Sequence, residues 1–206
     1  MTDLADRRGI ETEVYQPAED SHLLATAAVE TVGDGDRVLD VGTGSGYVAG
    51  SVAEETGAEV VASDLNPHAC QQARERAAAA GVDISVVRGD LVGPFRDGAF
   101  DAILFNPPYL PASEEAERDD WMEVALSGGE SGRAVVDPFL DAVGRVLAPG
   151  GVVCLLVSTL TGFDEVIARA DEQGFSAETV VEESYPFETL SVLALRRESE
   201  SETVTV

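Results

Sequence analysis

The stretch "RVLDVGTGSG", residues 37–46, carries the strand-to-turn signal from which the rest of the fold follows. Arg37 to Val41 is a short apolar run between "GDGD" and "GTGSG", the pattern of a strand buried on both faces. A helix through "YVAGSVAEET", closed by Gly57, should follow the glycines. Outward from there the rhythm repeats. "EVVASD" (59–64) reads as a second strand, and "NPHACQQARERAAAAG" as an Ala-rich helix with Asn66 at its cap, Pro67 in its first position and Gly81 past its end. "ISVVRGD" (84–90) and "FDAILFN" (100–106) are the third and fourth strands. "VVDPFLDAVGRVLAPGG" reads as a helix and closing turn, and "VVCLLVS" (152–158) as the fifth strand. A helix over 163–173 precedes a final strand pair, "SAETVVEES" and "LSVLALRR". Such alternation implies a doubly wound parallel α/β sheet, whose ligands sit at the carboxyl ends of strands near the point where strand order reverses.

Bulk properties narrow the class. At 206 residues and 44% hydrophobic composition, one compact domain is expected over 1–197, with an acidic tail at 198–206. No apolar run is long enough to cross a membrane, and the first residues lack the pattern of a signal peptide, so a cytoplasmic protein is expected. Cys70 and Cys154 read as reduced packing thiols, and with only two histidines no metal site is expected. The 39 acidic residues face 13 basic ones, all Arg, for a formal net charge of -26. Self-repulsion of that size is screened only at high ionic strength, so the surface reads as the haloarchaeal type. The same charge argues against nucleic acid as the partner, because phosphate binding rests on Lys and Arg contacts.

Three strand ends carry chemistry. After the first, Asp40 is followed by Gly42, Gly44 and Gly46 in a G-x-G-x-G spacing. The dinucleotide fingerprint is G-x-G-x-x-G, and an acid ahead of the turn suits a ligand with an ammonium group better than a pyrophosphate, as in S-adenosylmethionine. Asp64 ends the second strand about 20 positions beyond the glycine turn, where a carboxylate accepts from ribose hydroxyls. After the third strand, Asp90 could accept from an adenine amino group and Leu91 could supply apolar contact or a backbone N–H. Each acid alone reads equally as a cap or turn residue. At the fourth strand end stands Asn106-Pro107-Pro108-Tyr109. Proline after Asn106 and after Pro107 makes this segment stiff and extended, so its carbonyls point in fixed directions.

"NPPY" following "DVGTGSG" resembles the class I S-adenosylmethionine-dependent methyltransferases that modify planar nitrogen: the release-factor glutamine methyltransferases of the HemK family and the N6-adenine DNA methyltransferases. "VYQPAEDSHLL" (14–24) and "ALSGGESGRAVVDPFL" (125–140) look like the short archaeal and eukaryotic HemK-like branch, which methylates the translation termination factor. The resemblance spans residues 14–196. It implies a Rossmann-like, mostly parallel seven-stranded sheet with helices on both faces and an antiparallel C-terminal strand pair. Where the branch usually has Glu, Thr and often Glu, this chain has Gln16, Ser21 and Asp40.

By that resemblance Ser21, Asp40, Gly42, Gly44, Gly46, Asp64, Asp90 and Leu91 are expected to contact the cofactor S-adenosyl-L-methionine. Asn106, Pro107 and Tyr109 are expected to be catalytic, with Pro108 and Arg133 joining Asn106 and Tyr109 at the substrate. Glu19 and Asp20 are read as capping the first helix and shaping a lid, and the acidic segment 112–124 with Trp121 as a substrate flank. The resemblance further implies a small zinc-binding activator protein, paired through the edge strand from Ile84 to Arg88. The acceptor implied is the glutamine of a Gly-Gly-Gln loop in the termination factor. Alternatives are an N6-adenine or other nucleic-acid acceptor, a protein lysine, a non-catalytic cofactor-binding subunit, and a nucleotide-linked oxidoreductase, the last opposed by the glycine spacing.

Overall fold

A computed structural model describes residues 14, 16–109, 128–129 and 131–197. The acidic segment 112–124 and the tail 198–206, with the readings attached to them, lie outside the described residues. In chain order the elements are α1 (Glu19–Thr31), β1 (Arg37–Val41), α2 (Tyr47–Thr56), β2 (Glu59–Asp64), α3 (Pro67–Ala80), β3 (Ile84–Arg88), β4 (Phe100–Phe105), α4 (Val136–Val146), β5 (Leu147–Ser158), a 3-10 turn (Thr159–Thr161), α5 (Phe163–Glu172), β6 (Phe175–Ser184) and β7 (Thr189–Arg197). The seven strands form one sheet in the order β3-β2-β1-β4-β5-β7-β6. Only β7 runs against its neighbours, pairing antiparallel with both β5 and β6.

Period-two alternation sorts the strands' side chains between two cores. Val38, Ala102, Leu104, Cys154 and Leu156 face one cluster with residues of α1 and α2. Leu39, Val41, Ile103, Phe105, Val153 and Leu155 face the other, with residues of α4 and α5. That double burial is why the strands read as continuous apolar runs rather than alternating ones. In α4, Val136, Phe139, Leu140, Val143 and Val146 are buried, at the i, i+3, i+4, i+7 spacing of a helix laid on a sheet.

Two boundaries differ from the sequence reading. "LAPGG" is not a separate turn: β5 begins at Leu147, and the pairing with β4 shifts between Phe100 and Ala102, so these residues enter as an irregularity within the strand. The 3-10 turn over Thr159–Thr161 was not expected; Ser158 caps it by accepting from the Leu160 N–H at 3.1 Å. The caps of α3 stand where composition places them: Asn66 Oδ1 accepts from the His68 N–H at 2.9 Å, and Gly81 closes the helix at φ 72°. Among the described residues no helix is long and apolar enough to cross a membrane.

Candidate active site

Strand order reverses between β1 and β4, and the tips of β3, β2, β1 and β4 line one cavity there. The glycine loop after β1 forms its floor. Gly42, Gly44 and Gly46 have φ of 62°, 53° and 76°, a region that side chains other than glycine's occupy at a cost. The loop is held by the second strand. The Thr43 N–H donates to the Ser63 carbonyl at 2.9 Å, and the Gly44 N–H donates to Asp64 Oδ2, also at 2.9 Å.

Asp40 is 2% exposed, and its Oδ2 accepts from Thr43 Oγ1 at 2.6 Å and from the Ala49 N–H at 3.2 Å. Burial dominates over those two bonds and, helped by the nearby Asp64 charge, pushes the Asp40 carboxyl up to about 7. Asp64 is raised as well, again chiefly by burial, against the N–H groups of Asn66, Gly44 and Leu65 that favour its charged form. A cavity that strains two carboxylates toward neutrality favours a ligand with a positive group. At the β3 end, Asp90 is exposed and Leu91 is the only non-glycine described with positive φ, at 45°. That conformation, at a cost of roughly 1–2 kcal/mol, presents Leu91 at the cavity wall.

At the β4 end the chemistry changes. Asn106, Pro107, Pro108 and Tyr109 all line the cavity. Asn106 Oδ1 is buried and has no hydrogen-bond partner among the described residues. A buried carbonyl oxygen without a donor costs about 1–3 kcal/mol, so its presence on a residue that lines the cavity calls for a functional explanation. Tyr109 is 4% exposed, and its hydroxyl donates to Asp20 Oδ2 at 3.3 Å.

Of the expected cofactor residues, Ser21, Asp40, Gly42, Gly44, Asp64, Asp90 and Leu91 line this cavity. Gly46 does not. A Cβ there would lie 2.8 Å from the Ala73 Cα, so this glycine admits α3 against the start of α2. Arg133 is not a lining residue either; its Nη1 donates to the Thr161 carbonyl at 2.7 Å and fastens the chain before α4 to the turn after β5. Two residues outside the expected cofactor and substrate sets line the cavity with a defined partner. Tyr47 opens α2, its hydroxyl 2.6 Å from His22 Nδ1, with the Arg76 guanidinium 5.7 Å from its ring centroid. Asp20, read from its place in the first helical turn as capping the helix and shaping a lid, is 4% exposed, and its Oδ2 accepts from the Tyr109 hydroxyl. The acid in the first turn was visible; its partner, 89 positions away, was not.

These residues fit S-adenosylmethionine. The glycine loop allows close backbone approach, the buried Asp40 carboxylate is the counter-charge that an ammonium group calls for, and further acids stand at the next two strand ends. Comparison with known proteins agrees. Residues 18–123 match the Methyltransferase small domain family. A Methanocaldococcus jannaschii protein named for protein N5-glutamine methyltransferase activity is 40% identical over 181 residues, covering 88% of this chain and 90% of its own. Human methyltransferase HEMK2 is 33% identical over 195 residues, covering 90% and 91%. Among solved structures, the "E. cuniculi Mtq2-Trm112 complex", described as responsible for methylation of the eRF1 translation termination factor, matches with TM-score 0.74 and 27% identity over 91% of this chain and 100% of that one. With that fold, the chain belongs to the HemK-like class I methyltransferases.

Proposed function

We propose that this methyltransferase moves the methyl group of S-adenosylmethionine to the side-chain amide nitrogen of a glutamine, in the Gly-Gly-Gln loop of a translation termination factor. The observation that carries the reading is the buried, unpartnered Asn106 Oδ1 at the β4 end of an acid-lined cavity. A neutral acceptor oxygen suits an uncharged NH2 group; it gives no advantage to a lysine ammonium over water. When bound, the cofactor supplies an electrophilic methyl group on a positively charged sulfur. Asp40 is assigned to its ammonium group, Asp64 to its ribose hydroxyls, Asp90 and Leu91 to its adenine, and Ser21, Gly42 and Gly44 to the remaining polar edge.

An amide nitrogen is a poor nucleophile because its lone pair is delocalised into the carbonyl. Asn106 Oδ1 and the Pro107 carbonyl accept its two N–H groups, which fixes the nitrogen and favours the positive charge that grows on it during attack. Both acceptors are fixed before the substrate arrives: the proline rings restrict the backbone and Phe105 anchors the strand end in the core. Tyr109 forms a wall against the planar group. After attack the nitrogen carries one proton too many and releases it to water.

The substrate and partner rest on likeness. The Mtq2-Trm112 structure is of a complex, and here we assign a contact with a small partner protein to β3. It is a sheet edge of five residues, Ile84 to Arg88, with Val86 and Val87 half-buried. A zinc-binding activator adding a strand there, in the cytoplasm, completes the proposal. The experiment incubates the chain, with and without such an activator, with labelled cofactor and the termination factor. Mass spectrometry should place one methyl on the glutamine of the Gly-Gly-Gln loop for the wild type and none for Asn106→Ala, while calorimetry shows cofactor affinity retained. Turnover by Asn106→Ala at the wild-type rate ends the assignment.

A further inference from the structure

The first turn of α1 reaches both halves of the site through one carboxylate. Asp20 is 4% exposed, and a buried acid in a helix's first turn ordinarily caps the helix or faces a cation. Here both of its oxygens also meet residues of the site. Its Oδ1 accepts from the Ser21 N–H at 2.7 Å and from Ser21 Oγ at 3.3 Å. Its Oδ2 accepts from the Tyr109 hydroxyl at 3.3 Å. Ser21 and Tyr109 both line the cavity; Ser21 is assigned above to the cofactor, and Tyr109 ends the acceptor segment. One carboxylate therefore spans from Ser21 to the residue that closes Asn106-Pro107-Pro108-Tyr109.

We infer that Asp20 is a positioning residue that sets the acceptor segment in register with the cofactor side, by holding the Tyr109 hydroxyl with one oxygen and Ser21 with the other. The inference builds on the acceptor role proposed for Asn106. The geometry explains why a carboxylate occupies the position: it accepts at both ends, whereas a carboxamide has one oxygen and must meet one of its two partners with an NH2 group. It also separates the substitutions by which end they cut. Ser21→Ala removes the hydroxyl contact at the cofactor end, Tyr109→Phe the contact at the acceptor end, and Asp20→Ala both.

Two measurements on the full chain test this: equilibrium affinity for S-adenosylhomocysteine by calorimetry, and kcat with the termination factor. Tyr109→Phe should lower kcat about tenfold and leave cofactor-product affinity within about threefold, the loss of one hydrogen bond to a charged group. Ser21→Ala should do the reverse. Asp20→Ala should lower both, and Asp20/Tyr109 double replacement should have the kcat of Asp20→Ala alone, because the same contact is removed twice. If Asp20→Ala fails to fold, Asp20→Asn keeps the volume and should lose one of the two properties. The inference is overturned if Tyr109→Phe multiplies in full upon Asp20→Ala, if Asp20→Ala leaves cofactor-product affinity intact, or if Asp20→Asn equals wild type in both measurements. A wild-type rate in Asn106→Ala would instead remove the acceptor reading, and the affinity measurements on Asp20 would still stand.

Discussion

The two ends of the cavity are built on opposite principles. At the tips of β1 and β2 the protein supplies charge it has partly satisfied itself: Asp40 and Asp64 accept Thr43 Oγ1 and the N–H groups of Ala49, Gly44 and Asn66. At the tip of β4 it supplies a neutral oxygen to which no described residue donates. The first end is preorganised by internal hydrogen bonds and destabilised by burial; the second is preorganised by proline rings and left open. Holding a cationic ligand requires the former, and discriminating a planar NH2 group requires the latter, since a charge beside the reacting nitrogen would hold it too firmly before attack.

The sharpest way to break this contrast is at the open end. Asn106→Ala should cost roughly 10²–10³ in kcat, the scale of losing one preorganised partner of a developing charge, with cofactor affinity nearly unchanged. An equal loss in both quantities would merge the two ends into one site. At the charged end, Asp40→Asn should weaken cofactor binding roughly 10- to 100-fold, the worth of a hydrogen bond to a charged group, and calorimetry reads it directly.

The pH profile sharpens the same point. Because the folded Asp40 carboxyl stands at about 7 against its ordinary 3.8, the ligand-free fold binds an extra proton between those values. Its contribution to stability is fully present below 3.8 and is lost as pH rises through 7. Cofactor affinity should therefore climb as pH rises toward 7 and level off above it, and the climb should vanish in Asp40→Asn. Affinity that falls over this range would show that the cation meets another group.

Two smaller effects test residues set apart from both ends. Gly46→Ala forces a Cβ to 2.8 Å from Ala73 in a backbone of positive φ. It should cost about 1–3 kcal/mol, lowering the melting temperature by about 2–4 °C for each. Arg133→Ala, which cuts the guanidinium's ties to the Thr161 and Ser131 carbonyls, should shift stability by about 1 kcal/mol and leave cofactor affinity unchanged. A large rise in KM for the protein substrate would return Arg133 to the site.

Local signals were legible where local physics decides. The strand-turn-helix unit at 37–56, the Asn66 and Gly81 caps and the stiffness of Asn106 to Tyr109 follow from φ preferences, side-chain capping and double burial, all of which act within a few residues. The family pattern then placed Ser21, Asp40, Asp64, Asp90 and Leu91, and the structure brings all five to one cavity. Gly46 shared the spacing of its neighbours, and only the packing of α3 shows that its missing side chain serves a helix contact.

What the chain's order of residues determined by itself was therefore the alternation of strands and helices and the polar groups waiting at strand ends, because periodicity and turn chemistry are written locally. What only the tertiary structure decided was which groups meet. That Asp20 reaches Tyr109, that Gly44 leans on Asp64, that Arg133 is spent on Thr161 and that Asn106 Oδ1 is buried without a described donor depend on contacts across the sheet. Such contacts are fixed by strand order and register, and no short stretch of sequence encodes them.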